Sequence, residues 1–172
     1  MKFSKNSCLL LIDLQTDYSD VYKLHLLREN VCKLLKKARK ENVLICFVFN
    51  IDDKIKSHWI DFSQELRGKI ILDEGIPFDF AIPYKNEKVI IKNNYDSFFE
   101  TPLQSFLKKN KIETLYVCGC LTGVCVLNTI FTAFNCGYRI HLIENACSDR
   151  IKKRHNSVFE SYNDYLFIKE TL

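Results

Sequence analysis

The chain has 172 residues, 47% of them hydrophobic and 27% charged. Those proportions suit one globular domain with a sizeable core and exclude disordered, collagenous and fibrous classes. Lys and Arg exceed Asp and Glu by 25 − 21 = 4, too mild an excess to mark a nucleic-acid binder on its own. The densest basic cluster, Lys152-Lys153-Arg154-His155, carries no aromatic stacking motif or recognisable nucleic-acid module, so no nucleic-acid partner is expected.

Eight cysteines stand at 8, 32, 46, 118, 120, 125, 136 and 147, mostly inside apolar runs and without CxxC pairs. That pattern fits reduced thiols in an intracellular protein better than a disulfide framework or a zinc site. The opening segment MKFSKNSCLLLIDLQTDY has an apolar run too short for a signal h-region, broken by Asp13. No apolar stretch approaches the length of a membrane span. The expectation is a cytoplasmic protein with no membrane partner, folded as a single domain over 1–172.

In chain order, CLLLI (8–12) reads as a strand buried on both faces. A helix near 21–40 follows, with Leu24, Leu27, Val31, Leu34, Leu35 and Ala38 on one stripe and lysines opposite. VLICFVF (43–49) is a second buried strand; 51–87 is irregular, with loops and a short helical piece expected. KVIIK (88–92) is a strand, and Thr101-Pro102 predicts a helix start, with an N-cap followed by proline at the first helical position.

TLYVC (114–118) is a strand that turns through Gly119–Thr122 into a helix ending at Asn135-Cys136-Gly137. YRIHLI is a strand, 151–163 a helix and YLFI a last strand. Strands alternating with helices give an α/β fold with a mostly parallel sheet.

In open parallel sheets, ligands bind beyond the carboxyl ends of the strands. Asp13 ends the first strand, Lys92 the third, and Cys125 lies in the turn or first helical turn after the fourth. Singly, each has an ordinary explanation: a turn cap, a solvent-facing strand end, a small packed thiol. Together they place three complementary ionisable groups on one edge. An ammonium and a helix N-terminus both favour the thiolate form of a cysteine. Asp13 can accept the thiol proton and hold the lysine, and backbone N–H groups at the helix start can stabilise an oxyanion.

The segments LLLIDLQTDY, VIIKNNYDSFFETPLQSFL and LYVCGCLTGVCVLNTIFTAFNCGY resemble the isochorismatase-like cysteine hydrolase family, and within it the nicotinamidase-type amidases. The resemblance covers nearly the whole chain outside 51–87. It implies a three-layer α/β/α fold with a mostly parallel six-stranded sheet. It also implies a catalytic triad of Asp13 as general base, Lys92 as cationic partner and Cys125 as nucleophile. A cis peptide at Cys120–Leu121 would aim the N–H of Leu121, with that of Cys125, into the oxyanion hole. Tyr18 matches an aromatic that walls the substrate pocket in relatives, and Trp59 is placed beside it as a second wall. Thr122 is read as shaping the turn, and His155 as structural. Relatives are commonly homo-oligomers, so the same is expected here.

One departure bears on the substrate. Nicotinamidases hold a divalent metal with an aspartate and histidines after the second strand, often as DxH. This chain reads NIDDKIKSHW there: Asp52 and Asp53 are present, but His58 is alone. No metal and no cofactor are therefore expected. Relatives that cleave a vinyl ether lack the nucleophilic cysteine, so Cys125 favours amide chemistry. The leading expectation is a metal-independent hydrolase of a small-molecule carboxamide or ureido compound. The alternatives are a nicotinamidase and, in another class, a non-enzymatic or redox-responsive binding protein on the same fold.

Overall fold

The computed structural model describes residues 1–51 and 75–172. Its strands are β1 (Ser7–Ile12), β2 (Leu44–Asn50), β3 (Lys88–Lys92), β4 (Thr114–Cys120), β5 (Arg139–Ser148) and β6 (Ile168–Glu170). Its helices are α1 (Leu24–Lys40), α2 (Leu103–Lys109), α3 (Leu127–Asn135) and α4 (Lys152–Tyr162). Among the described residues, no helix is long and apolar enough to cross a membrane.

All strand pairs are parallel, in the order β3-β2-β1-β4-β5-β6. Every residue of β1 and of β4 is buried. Successive side chains of a strand point to opposite faces, so both faces of the sheet centre are covered, giving the expected three layers. Edge strand β3 leaves Val89 and Ile91 exposed. The chain winds outward from β1 through β2 to β3, then returns to lay β4 on the other side of β1. The crevice between the ends of β1 and β4 is thus the topological switch point, where such sheets bind ligands.

The amphipathic stripe of α1 buries Leu27, Val31, Leu34, Leu35 and Ala38, as its 3.6-residue period requires. Its last turn carries Lys37, Arg39 and Lys40, charges that suit a helix C-terminus.

Several boundaries differ from the sequence reading; among them, β4 runs on to Cys120 and β5 to Ser148. The first helix starts at Leu24, after Lys23 in a left-handed conformation. Pro102 occupies the cap position of α2 rather than its first turn, yet the Thr101 hydroxyl still accepts the Leu103 N–H at 3.2 Å. The apolar run YLFI is mostly not strand. Leu166 and Phe167 are buried in the turn after α4, Phe167 meeting Phe159 edge-on at 5.7 Å, and β6 starts only at Ile168. Burial explains their hydrophobicity, and Phe167 adds an isolated bridge to Asn163. The helical piece expected within 51–87 falls largely outside the described residues.

Candidate active site

Asp13 follows β1 directly and takes a left-handed backbone conformation, φ 48°. Its N–H donates to the Val48 carbonyl of β2 at 2.9 Å, which fixes where its carboxylate leaves the sheet. Lys92 is the last residue of β3. The two side chains have no exposed surface, and Lys92 Nζ lies 2.7 Å from Asp13 Oδ2. The same ammonium donates to the Asn94 carbonyl at 2.8 Å and interacts by charge and hydrogen bond with Cys125. Burial alone would lower the Lys92 pKa; the charges of Asp13 and Cys125 outweigh it and raise it above the ordinary lysine value.

Cys125 is buried within a π-helical turn, Thr122–Val126, between β4 and α3. The Leu121 carbonyl accepts N–H bonds from Val124 at 3.0 Å and Val126 at 3.2 Å, which closes this turn. The Cys120–Leu121 peptide is cis, as the resemblance implied. The turn is also tied down by side chains. Thr122 Oγ1 is 2.9 Å from His155 Nδ1, and the Gly123 N–H donates to Asp149 Oδ2 at 2.9 Å. Burial lowers the His155 pKa below its ordinary value, against the opposing charges of Glu144 and Asp149.

The other buried thiols stand in a different environment. Burial pushes Cys46 and Cys147 up to about 12, and Cys8, Cys118 and Cys120 well above the ordinary thiol value. Cys32 and Cys136 are exposed. Cys125 is set apart by the Lys92 ammonium that interacts with it.

Tyr18 is buried at the end of a short 3-10 turn, Thr16–Tyr18, with the Arg150 guanidinium 5.3 Å from its ring centroid. Trp59, Asp52, Asp53 and His58 lie outside the described residues. Among those described, no group of three or more His, Cys, Asp or Glu side chains is arranged to hold a metal.

Sequence reasoning missed three polar residues near the switch point. Gln15, fully buried, receives the Asn50 N–H at 2.6 Å and donates to the Asn50 carbonyl at 3.0 Å, locking the β1 exit to the end of β2. Asn94 holds Lys92 through its carbonyl, while its own buried Nδ2 meets no acceptor among the described residues. Asp149, immediately after β5, is fully buried and paired with Arg154. The rule that singled out Asp13, a carboxylate ending a buried parallel strand, also describes Asp149. Its place at a strand end is hidden in the sequence because β5 runs beyond YRIHLI to Ser148.

This is a doubly wound α/β fold with a buried Asp–Lys–Cys cluster at its switch point. Residues 7–168 match the isochorismatase domain, and the chain belongs to the isochorismatase family of hydrolases. An uncharacterised isochorismatase family protein of Bacillus subtilis, YddQ, is 28% identical over 148 residues, covering 83% of this chain and 77% of that protein. The ureidoacrylate amidohydrolase RutB of Klebsiella pneumoniae is 27% identical over 172 residues, covering 83% of this chain and 73% of that protein. The solved structure of N-carbamoylsarcosine amidase from Thermoplasma acidophilum superposes with a TM-score of 0.79 at 19% identity, covering 96% of this chain and 95% of that one. This last likeness is one of fold.

Proposed function

We propose that the protein is a cysteine hydrolase that cleaves the C–N bond of a small carboxamide or ureido substrate. The observation that carries this reading is the single buried ammonium of Lys92 joined to both Asp13 and Cys125. A thiol beside a fixed cation and a carboxylate has what it needs to become a nucleophile: a place for its proton and a charge to favour the thiolate.

In this mechanism Asp13 takes the Cys125 proton and the thiolate adds to the substrate carbonyl carbon. The N–H groups of Leu121 and Cys125 receive the developing oxyanion. As the tetrahedral intermediate collapses, the C–N bond breaks. The nitrogen takes the proton held by Asp13 and departs as ammonia or an amine. Water then gives a proton to Asp13 and adds to the thioester; the C–S bond breaks and the thiolate returns. A carboxylic acid is the product from an amide, and a carbamic acid from a ureido compound. Tyr18 and Trp59 are the proposed apolar walls around the substrate.

The names of two proteins this chain resembles, an amidohydrolase of a ureido acid and an amidase of an N-carbamoyl compound, support including ureido substrates. The test is ammonia release from a panel of small carboxamides, nicotinamide and ureido acids. Activity on at least one member, abolished in Cys125→Ala, supports the reading. Equal turnover by the variant and the wild type overturns it.

A further inference from the structure

The turn that carries Cys125 is gripped by the first turn of α4 through a carboxylate that belongs to neither. Asp149 has no exposed side-chain surface. Its Oδ2 accepts the Gly123 N–H at 2.9 Å and its Oδ1 the Ile151 N–H at 3.2 Å. Arg154 Nε lies 3.0 Å from each oxygen, and Arg154 Nη2 donates to Oδ1 as well. Of these donors only Arg154 is charged.

A buried carboxylate stripped of its cation is strongly unfavourable, whereas a forked guanidinium satisfies it and fixes its plane. The arginine also touches the turn from a second side. A Cβ added at Gly123 would stand 2.4 Å from Arg154 Cγ and 2.9 Å from Cδ, so the aliphatic stem lies directly across that glycine. The backbone of Gly123 is thus held between the arginine stem and the carboxylate that its head orients.

We propose that Arg154 is a positioning residue for the reaction: acting through Asp149, it fixes the Gly123 amide and with it the turn that presents Cys125 and the oxyanion donors. The inference rests on the hydrolase reading given above. It assigns a role to one member of the basic cluster at 152–155 other than contact with a polyanion.

Arg154 also neutralises a negative charge held against the turn. The Asp149 carboxylate bonds the turn at Gly123, and its charge acts on Cys120, just before the turn, and on His155, which holds Thr122. Among the described residues, the charged and titratable groups bearing on the turn and its anchors include Asp13 and Lys92 at the ends of β1 and β3, Cys120 on β4, Glu144 and Cys147 on β5, Asp149 after β5, and Arg154 and His155 on α4. With Arg154 gone, the unbalanced Asp149 charge disfavours a thiolate.

The experiment follows iodoacetamide alkylation of Cys125 against pH, resolved from the other cysteines by peptide mass. It uses wild type, Arg154→Met, Arg154→Lys and the double variant Asp149→Asn/Arg154→Met. Turnover of the best amide of the panel is measured alongside. In Arg154→Met the expected result is a kcat at least about tenfold lower with KM within about twofold. Its alkylation midpoint should rise by about one pH unit. In the double variant the midpoint returns toward wild type while kcat stays low, because the charge is gone but the fork is not restored. Arg154→Lys recovers the midpoint and only part of kcat, a lysine being unable to fork.

A folded Arg154→Met protein with wild-type midpoint and kcat overturns the proposal. So does a fall in kcat matched by lost thermal stability with no change in the midpoint, which marks a merely structural role. If wild type hydrolyses no member of the panel, the hydrolase reading fails while the alkylation series still decides whether Arg154 governs the turn.

Discussion

Lys92 Nζ and Asp13 Oδ2 stand 2.7 Å apart, and neither side chain has any exposed surface. Such a pair is costly to break from one side, because the remaining charge stays buried without its partner. Lys92→Met and Asp13→Asn are each expected to lose about 3–5 kcal/mol of stability. On the proposed mechanism, Asp13→Asn should also lower kcat by about 10²–10⁴ through loss of the proton acceptor. Denaturant midpoints and steady-state turnover check the two effects separately. The pH dependence has a defined sign. Because the Lys92 pKa is raised above the ordinary 10.5, its contribution is fully present below that value and lost as pH climbs through the folded-state pKa. Wild type should therefore lose stability in strongly alkaline solution more steeply than Lys92→Met.

His155 predicts the opposite slope in a different range. Burial lowers its pKa below the unperturbed 6.5, so the unfolded chain binds the proton more readily. The contribution of neutral His155, which bonds Thr122 at 2.9 Å, is complete above 6.5 and declines as pH falls through the folded-state value. Guanidinium midpoints at pH 7.5 and 5.5 should differ more for wild type than for His155→Gln. Equal differences would remove His155 from the acid sensitivity of the fold.

Much of the architecture was legible because buried parallel strands advertise themselves. CLLLI, VLICFVF, KVIIK and TLYVC each became a strand, their near-continuous apolar character reflecting cover on both faces. The Asp13, Lys92 and Cys125 cluster was legible for a related reason: a single charged or nucleophilic residue at the end of such a run is conspicuous. Asp149 and Arg154 were not, because the polar residues of β5, among them His141, Glu144 and Asn145, hide where that strand ends. The YLFI error came from the same physics in reverse. A run can be apolar because it plugs the space beneath a helix, as Leu166 and Phe167 do, with no more pairing than the isolated bridge of Phe167 to Asn163.

The thiols should separate into classes on labelling. At pH 8 a cysteine held at about 12, as Cys46 and Cys147 are, has a thiolate fraction of only about 10⁻⁴. Leaving aside the proposed nucleophile Cys125, exposed Cys32 and Cys136 should react first with iodoacetamide. Cys8, Cys46, Cys118, Cys120 and Cys147 should react only as fast as the protein unfolds. Peptide mapping against time gives the order. Prompt labelling of Cys118 or Cys120 in the native protein would contradict the packing around β4.

Two glycines with positive φ differ in the room they have. Gly119, φ +134°, sits in β4 where an added Cβ would be 2.0 Å from the Ile12 carbonyl oxygen. That atom is backbone of the neighbouring strand, next to Asp13, and cannot step aside without opening the β1–β4 pairing. Gly137, φ +85°, ends α3 with nothing within 4 Å of the corresponding position. Gly137→Ala should therefore carry only the conformational cost of a left-handed residue, about 1 kcal/mol. Gly119→Ala adds a backbone clash and is expected to cost at least about 3 kcal/mol. In whatever protein survives, turnover should also fall, since the displaced strand end holds Asp13, the proposed general base. Urea unfolding of the two variants under identical conditions measures the contrast, and similar midpoints would refute the close approach of β4 to β1.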